Sequence, residues 1–365
     1  MSGGRPGVSG TGAWPGTDVL EAQSTVVGDL VDAPSEVAGL PFTVLLPARG
    51  PWGDRVGHAA ALLAELPAEL GPHGWKLADR PGGDLGRARA YVREDLDALA
   101  VAAHGYTGPL VLPVAGPLTL AASLYLARGD RVLSDAGAVR ELAESLAVGI
   151  GEHVAAVHRS VPGAQVTVLL HEPLLAQVVA GVLPTFSGYA ALRAVPGPVA
   201  AERLATVADG ARAGGSGAAA VVVHGGTAWT SLATVRAARA DGVALAVAGL
   251  DERGWERVAE AVEGGLRLWA ELPPQATSQC AGPDVVGQAD LLTRPWRSVG
   301  LPAAGLRDVV LLAGDPPGTG GRGGTMPGAA GAGAATAGQA SPDDARAALA
   351  GLLRAGRIVA ERAEA

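Results

Sequence analysis

The feature that most constrains the fold of this chain is a repeated alternation between short apolar runs and amphipathic segments. Eight apolar runs occur, and they are rich in β-branched residues with little polar alternation. Continuous apolar runs are typical of strands buried on both faces, as in parallel sheets that are covered by helices. The predicted strands are Val8–Trp14, Phe42–Pro47, Leu110–Ala115, Gln165–His171, Ala218–His224, Val243–Leu250, Leu266–Leu272 and Asp308–Gly314.

The segments between these runs carry the spacing of helices. In Ala136–His158, apolar residues recur at helical intervals from Val139 to Val154, with charged residues between them. The other predicted helices are Asp18–Leu30, Val56–Leu70, Asp84–Ala102, Ala200–Ala213, Ser231–Ala240, Glu252–Glu263 and Asp343–Ala360.

Eight alternating units predict an α/β fold, a single (β/α)8 TIM barrel over residues 1–365. A doubly wound open sheet is the alternative, and it calls for a glycine-rich phosphate-binding turn after the first strand. The sequence Gly10–Thr11–Gly12–Ala13–Trp14–Pro15 does not match the GxGxxG pattern, which favours the barrel.

Composition narrows the classes of partner. The 365 residues are 48% hydrophobic with a net charge of −8, and no basic cluster stands out. Nucleic acid and anionic membranes are therefore not expected as partners. The uncharged run His104–Ala127 contains three prolines, which favour a strand, a turn and a helix start over a membrane span. With one cysteine, Cys280, and no apolar leader after Met1–Pro6, we expect a cytoplasmic protein without disulfides or a cysteine-based metal cluster.

One segment departs from the alternation. Residues 314–340 consist almost wholly of Gly, Ala, Pro and Thr, and Arg322 is their only basic residue. Such a segment cannot bury enough apolar surface to offset the entropy lost on ordering. We therefore predict a low-complexity insertion after the eighth strand, in preference to a functional lid.

Polar residues at the predicted strand ends are the candidates for chemistry, because α/β barrels place their active sites there. They include two histidines and several carboxylates, which suit acid–base chemistry or metal coordination. The strand ends are Trp14–Pro15, Arg49, Gly116–Pro117, His171–Glu172–Pro173, His224–Gly225–Gly226, Asp251, Glu271 and Asp315.

His171 and Glu172 are the predicted catalytic residues. The alternative is that Glu172 caps or hydrogen-bonds the barrel rim and that His171 is a polar rim residue. His224 precedes two glycines, which permit close approach by a ligand or a tight turn.

Other polar residues are interpreted as lying outside the site. Asp54, Arg55 and His58 are interpreted as a solvated helix start, and Cys280 as a bystander in a loop. The histidines interpreted as surface or loop residues are His73, His104, His153 and His158.

Three motifs carry a resemblance to a known family. Gly12–Ala13–Trp14–Pro15–Gly16–Thr17, Ala115–Gly116–Pro117–Leu118–Thr119–Leu120 and His171–Glu172–Pro173 resemble, in order and strand placement, motifs of the catalytic barrel of cobalamin-independent methionine synthases. The short single-barrel members of actinobacteria are the most similar. The resemblance implies a barrel that binds substrate through Gly12, Ala13, Trp14, Gly116 and Pro117.

The reaction implied by the resemblance is methyl transfer from 5-methyltetrahydrofolate to homocysteine, with zinc lowering the pKa of the homocysteine thiol. The family's zinc ligands are a His-x-Cys pair, a Glu and a second Cys. Here His224 keeps the first place, whereas the others fall at Gly226, at about Ala248 and near Asp315. The metal ligands that remain as candidates are therefore His224 and Asp315, with folate as a possible co-substrate and a homocysteine- or folate-like small molecule as the partner.

Three functional hypotheses follow from these departures. The first is an enzyme with altered chemistry, either at a rebuilt metal site of His171, Glu172, His224 and Asp315 or without a metal, as in the related uroporphyrinogen decarboxylases. The second is a non-catalytic barrel that binds a folate, an amino acid or a partner. The third is intact family activity, for which Cys280 is the only thiol in the chain.

Overall fold

The structure is a computed structural model that describes residues 4–215, 219–273, 284–317 and 340–364. Eight parallel strands form one sheet. They are β1 (Gly7–Gly10), β2 (Ala38–Gly39), β5 (Thr107–Ala115), β6 (Gly163–His171), β7 (Ala220–His224), β8 (Gly242–Ala246), β9 (Arg267–Leu272) and β10 (Val310–Ala313). Their order across the sheet is β2-β1-β10-β9-β8-β7-β6-β5. The chain also forms an antiparallel hairpin of β3 (Ala68–Gly71) and β4 (Gly74–Leu77).

The sheet curls so that its two outer strands meet. Just beyond β2, Phe42 pairs in parallel with Val111 of β5. The Val111 N–H donates to Pro41 O at 2.8 Å, and the Thr43 N–H donates to Val111 O at 3.0 Å. These bonds join the edges of the sheet and confirm the predicted TIM-barrel-like fold. The second strand was predicted over Phe42–Pro47, whereas its regular ladder is Ala38–Gly39; within the predicted segment only the isolated bridges of Phe42 and Leu45 are formed.

Helices surround the sheet. They are α1 (Val19–Val31), α2 (Arg55–Leu62), α3 (Gly83–Ala102), α4 (Pro117–Ser123), α5 (Ala136–Ser160), α6 (Leu175–Ala180), α7 (Gly197–Ala213), α8 (Leu232–Ala237), α9 (Glu252–Glu263), α10 (Val285–Ser298) and α11 (Pro342–Glu364). The predicted periodicity of α5 is confirmed, since Val139, Leu142, Leu146, Ile150 and Val154 are all buried.

The helix predicted over Val56–Leu70 is too long. In the structure α2 ends at Leu62, and the hairpin begins at Ala68. Pro67 lies between them, and proline disfavours helical backbone in the residue before it and cannot donate a helical hydrogen bond. The apolar pattern continues past this point as a strand. The helices α6 and α10 were not predicted.

Parts of other predictions lie outside the described residues. These are Cys280, the first residue of the predicted strand at Ala218, and residues 318–339 of the predicted insertion. At the ends of that insertion, the Ala340 N–H donates to Pro317 O at 3.2 Å. In the described ranges, none of the helices has the length and apolar character needed to cross a membrane.

Candidate active site

The candidate site lies at the C-terminal ends of the strands, and the small inward-facing residues of β8 leave room for it. His171 of β6 pairs in register with His224 of β7, and Glu271 of β9 pairs with Ala246 of β8. Side chains alternate between the two faces of a strand, so β8 points Gly242, Ala244 and Ala246 to the same face as these residues. None of the three is larger than a methyl group. His224 and Glu271 therefore meet across an intervening strand, on the inner face of the barrel.

His224 and Glu271 form a close polar pair. The distance between His224 Nε2 and Glu271 Oε2 is 2.6 Å. Because a carboxylate oxygen accepts, Nε2 is assigned the proton, and Nδ1 then carries the lone pair. His224 is 3% exposed, and its Nδ1 is buried without a hydrogen-bond partner in the described part of the chain. The arrangement is that of an oriented general base.

The ring of His171 stacks on the ring of His224. The ring centroids are 4.7 Å apart and the planes differ by 5°. Burial lowers the pKa of His171 well below its usual range, and repulsion from Arg55 and from the protonated form of His224 lowers it further against the opposing effect of Asp315. His171 is consequently a neutral imidazole at neutral pH, which allows the two rings to stack without repulsion between charges.

Arg55 and Asp315 form an ion pair beside the stacked rings. Arg55 Nη2 donates to both oxygens of Asp315 at 2.8 and 2.9 Å, and Arg55 Nη1 donates to Thr11 O at 2.8 Å. The Thr11 hydroxyl donates to Asp315 Oδ1 at 2.6 Å. Burial acts to raise the pKa of Asp315, but the charge of Arg55, attraction to the protonated form of His171 and the hydrogen bonds from Thr11 and Arg55 outweigh it, so the pKa is lowered.

The interpretation of Asp54, Arg55 and His58 as a helix start is confirmed, because α2 begins at Arg55, but these residues are not solvated. The Arg55 side chain is 12% exposed and contacts Asp315. Asp54 caps α2 by accepting from the Gly57 N–H at 2.7 Å, and burial raises the pKa of Asp54 to about 6. His58 is also buried, as is His153, which was interpreted as a surface or loop residue.

Glu172, the other predicted catalytic residue, is fully buried against α4. Its carboxylate accepts from the Leu118 N–H at 2.8 Å and from the N–H and hydroxyl of Thr119 at 2.7 Å each. Burial raises the pKa of Glu172 to about 7, although these three hydrogen bonds oppose the rise. A Cβ atom on Gly116 would lie 2.3 Å from Glu172 Oε1, so only glycine permits this approach. These contacts are the ones expected from the alternative interpretation of the sequence, in which Glu172 caps or hydrogen-bonds the barrel rim.

The predicted substrate-binding residues form part of the same rim and are mostly buried. Gly12 has a φ of +110° and lies against Pro113, where a Cβ atom would come within 2.7 Å. Ala13 pairs with Leu45, Trp14 is 4% exposed, and Pro117 is buried in the first turn of α4. Their binding of a substrate stays a prediction.

The donor groups of the described residues do not form the zinc site of the family that the sequence resembles. Across the described ranges, no three His, Cys, Asp or Glu side chains are placed to hold a metal ion. Of the two predicted ligands, Asp315 is paired with the Arg55 guanidinium, which already supplies a positive charge to the carboxylate. Cys280 lies outside the described residues, and a metal role for His224 and Asp315 stays a prediction.

Sequence reasoning underrated two residues of this site. The sequence pattern places Glu271 at a strand end without indicating a role for it, and it predicts that Arg55 is exposed to solvent. The signal that would have found Glu271 is the alternation in Gly242–Ala246, whose inward residues are too small to separate β7 from β9. The partner of Arg55 lies 260 positions away in the sequence, so no local pattern points to it.

No protein-family model and no curated protein sequence matches the chain. Among solved structures, 44 chains match. One is a methyltransferase from Methanosarcina mazei, to which this chain is 12% identical with a TM-score of 0.46, over 96% of this chain and 94% of that chain. This similarity is too distant to carry an argument about function, which is therefore argued from the side chains of the site.

Proposed function

We propose that this chain is an enzyme of the methyl-transfer type that activates its acceptor with His224 and Glu271 instead of zinc. The observation that carries the proposal is the 2.6 Å contact between His224 Nε2 and Glu271 Oε2 at the C-terminal end of the barrel. A histidine oriented by a carboxylate is a recurrent general base, because the carboxylate fixes the tautomer and stabilises the imidazolium that forms.

The proposed step needs no group beyond the chain, a methyl donor and a thiol acceptor. The thiol proton passes to Nδ1 of His224, and Glu271 stabilises the resulting positive charge. The sulfur electron pair then attacks the methyl carbon, and the bond from that carbon to the donor nitrogen breaks with its electron pair left on the nitrogen. The donor nitrogen takes up the proton that His224 removed from the thiol, so the donor leaves as a neutral secondary amine and His224 returns to its neutral form.

The reaction class is supported by the sequence motifs, and the activation mode is supported by the dyad. The motifs around Gly12, Gly116 and His171 resemble those of barrels that move a methyl group from a folate to homocysteine. The pairing of Arg55 with Asp315 and the absence of a three-ligand group in the described ranges favour activation by proton removal over activation by zinc.

The test is methionine formation from 5-methyltetrahydrofolate and homocysteine in the presence of a metal chelator. We expect turnover that the chelator does not reduce and that falls about 10²–10⁴-fold in His224→Ala, the contribution typical of a general base. Added imidazole is expected to restore part of the activity of this variant. His104→Ala is the matched control, because His104 is exposed.

Two results would contradict the proposal. Loss of wild-type turnover on chelation would indicate a metal-activated thiolate, and full activity of His224→Ala would remove the dyad from the mechanism. If no thiol acceptor is methylated at all, the transferase proposal fails and the second candidate takes its place.

The second candidate is a barrel that binds a small molecule without converting it. It is favoured by the number of rim groups already engaged within the protein, since Glu172 holds α4 and Asp315 holds Arg55 and Thr11. A folate or amino acid at about 100 times its dissociation constant should then add about 2.7 kcal/mol to the free energy of unfolding, without turnover.

A further inference from the structure

A cavity lies at the opposite end of the barrel from the candidate active site. It has a volume of about 470 Å³, and residues that precede strands β8, β9 and β10 line it, among them Asp241, Leu266 and Asp308. Thr167 and Val222 line it from within the barrel. Its size falls in the range of small-molecule sites in proteins.

The space exists because this part of the barrel interior is filled by small side chains. Ala220 of β7 lines the cavity, and Gly242 of β8, which pairs with the lining residue Val222, carries no side chain. Both lie on the inward face, which alternation assigns from His224 and Ala244. In barrels of this class bulky branched residues normally fill the interior layers, so these two positions leave volume that the chain does not occupy.

Two tryptophans line the cavity, and their indole N–H groups differ. Trp296 Nε1 donates to Pro302 O at 2.9 Å. Trp269 is 3% exposed, and its Nε1 is buried with no acceptor in the described ranges of the chain. A buried donor without an acceptor is uncommon in folded proteins and calls for a ligand or a water molecule. Trp269 is two residues before Glu271, so it too faces the interior.

We propose that this cavity binds a planar, mainly apolar molecule that carries a hydrogen-bond acceptor, and that the Trp269 N–H binds the acceptor. Two indoles favour flat aromatic ligands, and Val222, Leu266 and Leu268 make most of the remaining lining apolar beside the charged Asp241, Arg267 and Asp308. The proposal is independent of the proposed function, because the site and its residues lie at the other end of the strands.

The test compares two bicyclic probes of similar size by calorimetric titration of the full chain. Coumarin has a carbonyl acceptor, whereas naphthalene has none. We expect coumarin to bind about tenfold more tightly than naphthalene, the gain expected of one buried hydrogen bond. In Trp269→Phe, which removes the N–H and keeps an aromatic ring, coumarin should bind no more tightly than naphthalene does.

Two further variants make the result decisive. Trp255→Phe is the matched control, because Trp255 is a buried tryptophan on α9 that lines a different cavity, and it should leave both affinities unchanged. Thr167→Leu adds bulk to the lining and should weaken both probes, so it tests the site even if Trp269→Phe does not fold. The proposal is overturned if neither probe binds wild type, if the two bind equally, or if Trp269→Phe retains the preference for coumarin.

Discussion

At the scale of single residues, the two glutamates near the barrel mouth have different surroundings and should respond differently to the same substitution. Glu172 accepts three hydrogen bonds from α4, and Glu271 contacts His224. In Glu172→Gln the side chain can turn an amide donor toward the N–H groups of Leu118 and Thr119. Leaving such a buried donor unpaired costs about 1–3 kcal/mol, so we expect the free energy of unfolding to fall by that amount.

Urea denaturation of both variants measures this difference. Glu271→Gln is the matched control, because its amide oxygen can still accept from His224 Nε2, and it should change stability little while it lowers turnover. If the two variants lose the same stability, the hydrogen bonds between Glu172 and α4 stabilise the fold no more than the contact between Glu271 and His224 does.

The same residues show how far sequence can predict the site. That His171, Glu172 and His224 lie at strand ends followed from the apolar runs before them. The orientation of the Glu172 carboxylate did not, because it depends on the space left by Gly116, which follows the adjacent strand β5. The burial of Arg55 depends on Asp315, which lies at the far end of the chain.

At the scale of elements, α2 and α5 pack through two buried histidines, which makes their contact sensitive to acid. The rings of His58 and His153 lie 5.4 Å apart, edge to face. Burial lowers the pKa of His58 to about 3, with added repulsion from His153, Arg55 and Arg49, and burial lowers the pKa of His153 to about 4. Both imidazoles are therefore neutral in the folded protein at neutral pH.

This pairing predicts a loss of stability as the pH falls below about 6.5, the pKa of an unperturbed histidine. In the unfolded chain both rings take up protons near that pH, whereas in the folded chain they do not. Each ring then removes up to about 1.4 kcal/mol of stability per pH unit until its folded pKa is reached. His153→Leu should reduce this slope between pH 6.5 and 4, and His104→Leu, at an exposed position, should not. Identical slopes in all three proteins, measured by urea denaturation, would contradict the assignment.

Element boundaries were the least predictable feature of the fold. The apolar spacing alone predicts that the second helix continues to Leu70, although Pro67 is incompatible with a continuous helix through this stretch. Short helices such as α6 have too few residues to show a period. Long elements such as α5 were predicted well, because the helical pattern repeats over many turns.

At the scale of the whole molecule, the count of strands could be predicted and the way the barrel closes could not. The strands of the barrel are covered by helices on one face and by the barrel interior on the other, so each of them appears in the sequence as an apolar run. Closure depends on backbone bonds around Pro41 and Val111, and such bonds leave no mark on side-chain pattern. The predicted insertion, residues 314–340, includes Asp315 of the candidate site, so removing its later residues tests which parts of the chain the barrel needs.

We predict that the barrel does not need residues 318–339. The backbone bond between Pro317 and Ala340 shows that the two ends of the segment already lie side by side, so a two-glycine link can replace it. Shortening a loop lowers the entropy cost of closing it, and a change of this size should raise the free energy of unfolding by roughly 2 kcal/mol. Replacing the segment with a Gly/Ser sequence of equal length is the control, and it should leave stability unchanged. If the short link lowers the melting temperature, or if both variants lose ligand binding at the mouth, the segment contributes to the barrel or to its site, and the prediction of a tolerated insertion is wrong.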